Sequence, residues 1–168
     1  LPRALERRAA RRQAGVDVQL KQRADLIPNI LVIAKKFMEH EKDLMARVTE
    51  LRSRVLAPYD TKKSEAVQAH FNAVGALSDS MRQLMLSVEN YPSLKSDQTM
   101  MQAMQTNNEV EAQITAARRF YNSAVNDLNN AVQIFPGNII ARLAGVNEMP
   151  FFAADDADKK PVSAAEIL

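Results

Sequence analysis

From Ser96 to Phe135 the chain places Met100, Ala103, Asn107, Val110, Ile114, Ala117, Tyr121, Ala124, Leu128, Ala131 and Phe135 at steps alternating between three and four. That spacing gives an α-helix one continuous face and matches the heptad seam of helices packed at a shallow angle. A strand would need apolar residues at every second position, and that signal is missing. At the usual rise the segment makes a rod ~60 Å long. Asn107 is the one strongly polar residue in the seam.

Two more seams precede it. Val67, Phe71, Val74, Leu77, Met81, Leu84 and Val88 form one, between the breaks Ala57-Pro58-Tyr59-Asp60 and Asn90-Tyr91-Pro92-Ser93. Val16, Leu20, Ile27, Ile30, Ala34, Phe37, Leu44, Val48, Leu51 and Val55 form the other, with Glu41 as a polar interruption. Proline has no amide hydrogen and biases its predecessor away from the α region, so these breaks, and Phe135-Pro136-Gly137 after them, mark helix ends. Asp60 or Thr61 can cap the second long helix, and Ser96 or Asp97 the third. Pro28 lies inside the first seam. Either Asp25 caps a fresh helix there or one kinked helix runs through, and the unbroken phase favours the kinked helix. A short helix is expected from Asn138, with Gly145 as its C-terminal cap, and Phe151 and Phe152 should pin the segment that follows. The expected fold is all-α, an antiparallel bundle of three long helices plus a short C-terminal helix. Its parts are a basic arm at 1–15 continuing into the first helix, a helical domain at 16–152 and a flexible acidic tail at 153–168.

Chemistry is sparse. The 168 residues include no cysteine, so thiolate metal sites and cysteine nucleophiles are excluded. The four glycines stand apart at Gly15, Gly75, Gly137 and Gly145, which rules out a phosphate-cradling loop, and no serine sits in a Gly-x-Ser-x-Gly turn. No apolar run approaches the roughly 20 residues that cross a bilayer. His40 is flanked by Glu39, Glu41 and Asp43, and on a continuous helix Glu39 and Asp43 would share a face. His70 is the only other histidine, so a charged surface is the better reading and no metal, cofactor or catalytic residue is assigned. Of the methionines, Met81, Met100 and Met104 fall on or beside the seams. Met38, Met45, Met85 and Met101 are open between core and a groove for a partner helix.

The charge is distributed unevenly. Residues 1–24 carry seven basic side chains against Glu6 and Asp17, while Glu148, Asp155, Asp156, Asp158 and Glu166 make the end acidic. Arg7, Arg8, Arg11 and Arg12 recur on one side of a helix and, with Arg3, predict contact with an anionic membrane surface at about 1 kcal/mol per arginine. Nucleic acid is the rival polyanion, but the arm has no aromatic residue for stacking, so no nucleic-acid partner is expected. Arg118, Tyr121 and Asn122 on the third helix are expected to meet Asp17, Lys21 or Glu41 on the first, forming a buried polar layer that fixes register.

Several segments resemble the LemA family. They are Val16-Asp17-Val18-Gln19-Leu20-Lys21-Gln22-Arg23-Ala24-Asp25-Leu26-Ile27-Pro28-Asn29, His40-Glu41, Tyr91-Pro92-Ser93-Leu94-Lys95, Ala117-Arg118-Arg119-Phe120-Tyr121-Asn122, Phe135-Pro136 and Pro150-Phe151-Phe152. The resemblance implies an N-terminal transmembrane anchor upstream of Leu1, followed by a soluble helical domain. The chain departs from the family pattern at Leu128, at Val146 and in the stretch before Val16, which lacks the usual aromatic residues. The arginine-rich start and these departures point towards the MamQ-like magnetosome branch, which takes part in building intracellular membrane compartments. With the positive-inside rule, the arginines orient the domain to the cytoplasm. The expected function is a non-enzymatic, membrane-anchored scaffold that presents helix faces to a protein partner, with a homo-oligomer left open. The alternative is a module that senses a small ligand or metal.

Overall fold

The computed structural model describes residues 1–153. Six helices follow one another: α1 Pro2–Lys35, α2 Lys42–Leu56, α3 Ser64–Ser87, α4 Pro92–Lys95, α5 Gln98–Gln133 and α6 Gly137–Ala144. A 3₁₀ turn at Val88–Asn90 joins α3 to α4. The chain is all-α and antiparallel, as the seams require. The acidic tail expected at 153–168 lies, apart from Ala153, outside the described residues.

The stretch expected as the first long helix is divided, because the chain reverses at Lys36–Glu41. Arg52 of α2 reaches back to Ala24 of α1, and Tyr59 reaches Asp17, so the two helices form an antiparallel hairpin. The reversal carries an electrostatic signature that the seam hides. Lys35 and Lys36 sit at the negative end of the α1 dipole, while Asp43 lies in the first turn of α2, at its positive end. Met38 tucks into the core at the turn, and Glu41 accepts a hydrogen bond from the Tyr91 hydroxyl. The bundle therefore has four long members running up, down, up and down. Asp17 and Arg23 of α1 meet His70 and Ser78 on α3, so α3 runs parallel to α1, and Arg8 and Arg23 meet Asp127 and Glu111 on α5, so α5 runs antiparallel to it.

Helix α1 continues through Pro28. Proline cannot donate to the carbonyl four residues back, which leaves Ala24 O without its helical partner. Arg52 Nε fills that vacancy at 2.7 Å, so the break in the hydrogen-bond ladder becomes a tie between α1 and α2. The other caps are mixed. Asp97 caps α5 by accepting from the Met100 amide at 2.9 Å, and Gly145 ends α6 in the left-handed region at φ 66°. Helix α3 starts at Ser64, later than expected, because Asp60 spends its carboxylate on the Lys62 amide within the preceding turn.

The core follows the seams, with one loss and two shifts: Phe135, expected as the last position of the third seam, lies beyond the end of α5 and is exposed. In α2 the buried residue is Met45 and Leu44 lies half out, because the new helix does not continue the phase of α1. In the second half of α5 the buried stripe widens to take in Arg118, Val125 and Asn129, one position beyond Ala117, Ala124 and Leu128. The cause is the extended segment after α6, which packs along that side. Of the two phenylalanines expected to pin it, Phe152 is buried and Phe151 is exposed.

Candidate functional site

The five arginines divide into two groups. Arg8 pairs with Asp127 of α5 at 3.2 Å, and the Arg12 guanidinium lies over the Phe120 ring, 5.1 Å from its centroid. Both lean toward α5. Arg3, Arg7 and Arg11 lie at successive steps of four on the side of α1 away from the buried Ala9, Gln13 and Val16. All three are exposed, with no ion pair or hydrogen bond to another side chain among the described residues. The basic N-terminal stretch continues into the first helix without a break. It is the first part of a packed helix whose outer stripe is cationic.

The six residues expected to form one polar layer are not brought together as a set. Lys21 is exposed and pairs with its neighbour Asp25 at 3.5 Å. Glu41 sits at the α1–α2 turn, at the far end of the bundle. Asp17 faces inward, where it accepts from the Tyr59 hydroxyl at 2.8 Å and lies 3.3 Å from His70 Nε2. Gln13 donates to the Tyr59 oxygen at 3.1 Å, and the Tyr59 and His70 rings stack with centroids 4.0 Å apart. Burial, then the hydrogen bond to Asp17 and its charge, push the Tyr59 hydroxyl well above the ordinary tyrosine range. Burial raises Tyr121 too, with the Asp17 charge adding to it.

Tyr121 and Asn122 instead belong to a clamp. The Tyr121 hydroxyl donates to Pro150 O at 2.8 Å. Asn122 donates its amide to Phe152 O and accepts the Phe152 N–H, both at 2.8 Å. Asn129 does the same to Met149, both bonds at 3.0 Å. The spacing is a geometric match: seven residues of helix rise ~10.5 Å, and three residues of extended chain span ~10 Å. Phe152 then stacks on Phe71 at 4.4 Å, with the Arg118 guanidinium 5.8 Å from its ring centroid. Beyond Phe152 the space between α3 and α5 opens into a cavity of about 360 Å³. Its lining includes Asn72, Asp79, Glu111, Thr115 and Arg118, a set suited to hydrogen-bonding a small polar molecule.

Beside this cavity lies the residue the sequence reading missed. Arg23 is 0% exposed, with Nη1 bonded to Ser78 at 2.7 Å and to Glu111 at 2.9 Å. Its Nε and Nη2 have no hydrogen-bond partner among the described residues. A signal existed, since the α1 seam steps from Leu20 straight to Ile27 and Arg23 fills the skipped place. Asn129 was legible in the same way, seven residues after Asn122.

The expected face of Glu39 and Asp43 does not form, because Glu39 lies in the α1–α2 turn and Asp43 in α2. Among the described residues no group of three or more His, Asp or Glu side chains is placed to hold a metal ion. Among those residues, too, no helix is long and apolar enough to cross a membrane.

Residues 12–165 match the LemA family. Among curated proteins, Magnetosome protein MamQ 1 and Magnetosome protein MamQ 2 of Paramagnetospirillum magneticum are each 27% identical over 101 residues, 60% of this chain. That stretch spans 37% of the length of each of these relatives.

Proposed function

The chain belongs to the LemA family, and from that premise we propose that it is a non-enzymatic scaffold of a membrane compartment. In this reading its bundle is held at an anionic, cytoplasm-facing surface by the N-terminal anchor that the family resemblance implies and by the arginine stripe of α1. Long helix faces are left for a protein partner, in compartment building of the magnetosome kind named in its relatives. The observation that carries the reading is the exposed row of Arg3, Arg7 and Arg11, unengaged by any carboxylate among the described residues while Arg8 and Arg12 are bound to α5. Flexible, hydrated arginines beside a negative surface contribute about 1 kcal/mol each, and the attraction is screened by salt.

Co-sedimentation with vesicles tests this. The protein should pellet with phosphatidylglycerol vesicles and not with phosphatidylcholine ones. Changing Arg3, Arg7 and Arg11 together to Gln should weaken binding by about a hundredfold, the product of three such contributions. Equal binding of the triple variant would refute the reading.

A further inference from the structure

Helix α6 is amphipathic in the opposite sense to the rest of the bundle. Ala141 is buried and Ala144 half-buried, whereas Ile139, Ile140 and Leu143 face solvent, Leu143 at 85% exposure. A helix that merely closed a bundle would turn its large aliphatic residues inward. The turn before it adds Ile134 and Phe135, the latter 74% exposed. Five of the thirteen large hydrophobic residues exposed among the described residues thus fall within ten consecutive positions. Val18, Val32, Leu56, Leu86 and Met101 are exposed singly, which is ordinary; a cluster is not.

The turn that carries the cluster lies close against α5. A Cβ at Gly137 would lie 2.2 Å from the Ala131 carbonyl oxygen, so only glycine lets the turn close this tightly on α5. Its surroundings are cationic. Arg142 is exposed on α6 itself, and α1 packs against α6. Because α1 runs antiparallel to α5, its first turns, with Arg3 and Arg7, reach this same end. Of the nearby acids, Asp127 is paired with Arg8, while Glu148, which accepts a hydrogen bond from the neutral Gln133 amide, and the exposed Glu6 keep their charge, so Arg3, Arg7 and Arg142 outnumber the free carboxylates by one.

We propose that the tip from Ile134 to Leu143 inserts into the interfacial region of an anionic membrane, with Arg3, Arg7 and Arg142 resting on the headgroups. This inference rests on the membrane-surface reading above and adds an apolar contact and an orientation to it. Charge complementarity selects the occupant: an apolar centre bordered by arginines matches the layered chemistry of an anionic lipid interface. The two components separate by salt. Arginine attraction is lost once the screening length falls to about 3 Å at molar salt, while apolar insertion persists.

The chain has no tryptophan, so Leu143→Trp creates a single reporter at the tip, and Val32→Trp serves as the control at the opposite end of α1. With phosphatidylglycerol vesicles, Leu143→Trp should shift to the blue and be quenched by brominated chains, and Val32→Trp should do neither. Ile140→Ser combined with Leu143→Ser should weaken vesicle binding about 30-fold while the helical circular dichroism stays unchanged. Both residues are exposed, so folding is not at stake. If the protein pellets with anionic vesicles while the Leu143→Trp emission stays solvent-like, the tip proposal fails and the arginine reading stands. If nothing pellets, both fail. A concentration-dependent blue shift without lipid, matched by a dimer in sedimentation, would overturn the proposal in favour of a protein interface.

Discussion

Removing Glu111 strands the buried Arg23 guanidinium without its counter-charge. Arg23 is wholly buried, and its one charged partner among the described residues is the Glu111 carboxylate at 2.9 Å. Taking one partner from a buried pair costs about 3–5 kcal/mol, because the remaining ion keeps its desolvation penalty and loses its compensation. Glu111 is itself 36% exposed, so solvent screens the pair and can enter when the carboxylate goes. The expected cost of Glu111→Ala is therefore reduced to about 2–3 kcal/mol, a fall in Tm of about 5–10 °C for a domain of this size. Arg23→Met removes the ion rather than stranding it, and fills much of the same volume with apolar atoms. Such replacements leave stability within about 1 kcal/mol of the starting value, or raise it. The double variant should then be more stable than Glu111→Ala alone, since the stranded charge is gone. Urea unfolding followed by far-ultraviolet circular dichroism measures all three proteins. If Arg23→Met costs more than Glu111→Ala, the Arg23 side chain contributes through its bond to Ser78 and its packing, and the account of a stranded charge is refuted.

Two further predictions concern the inward polar groups. Asn122→Ala and Asn129→Ala should each cost about 1–3 kcal/mol, because a backbone N–H and C=O of the extended segment lose their partners together. Hydrogen exchange should show the Phe152 and Met149 amides losing protection while α5 keeps its own; unchanged protection would mean that Phe152 packing alone holds the segment. The tyrosines supply a pH test. Tyr59 and Tyr121 are raised chiefly by burial, so the fold favours the neutral phenol at both, whereas Tyr91 is raised chiefly by its bond to Glu41 and can ionise without unfolding. Groups raised in this way contribute stability that is complete below the unfolded tyrosine value, about 10, and lost as pH climbs above it. In a Tyr91→Phe background, phenolate absorbance should stay low through the ordinary tyrosine range and then rise together with loss of helix; a separate early rise would refute the assignment.

Much of the helical skeleton was legible because periodicity reports burial directly. The α3 seam from Val67 to Val88 is buried at every position, and α5 holds its seam from Met100 to Leu128 apart from half-buried Ala103 and Ala117. The reversal at Lys36–Glu41 was not legible from that signal, since it contains neither proline nor glycine and the apolar spacing runs across it. Its cue is the change from Lys35 and Lys36 to Glu39, Glu41 and Asp43, a helix end followed by a helix start in the language of dipoles. Pro28 teaches the converse. A strong local breaker is overruled because Arg52, 28 residues away, supplies the bond that proline withholds.

The side-chain partnerships were harder, and for a reason that bears on function. A seam position says that a residue is buried, but not by what. Tyr121 and Asn122 were expected to face α1, yet both turn to the segment after α6, whose course depends on the Gly137 turn and the Gly145 cap. Those same two glycines orient α6. With Gly137 closed onto Ala131, the small face of α6 is the one that fits against the bundle, and Ile139, Ile140 and Leu143 are left outside. The apolar tip and the clamped segment are thus two consequences of one turn. A substitution at Gly137 should disturb both, loosening the Phe152 amide in hydrogen exchange and shifting the tip off its mount, whereas Leu143→Ser should change the tip and leave the clamp protected.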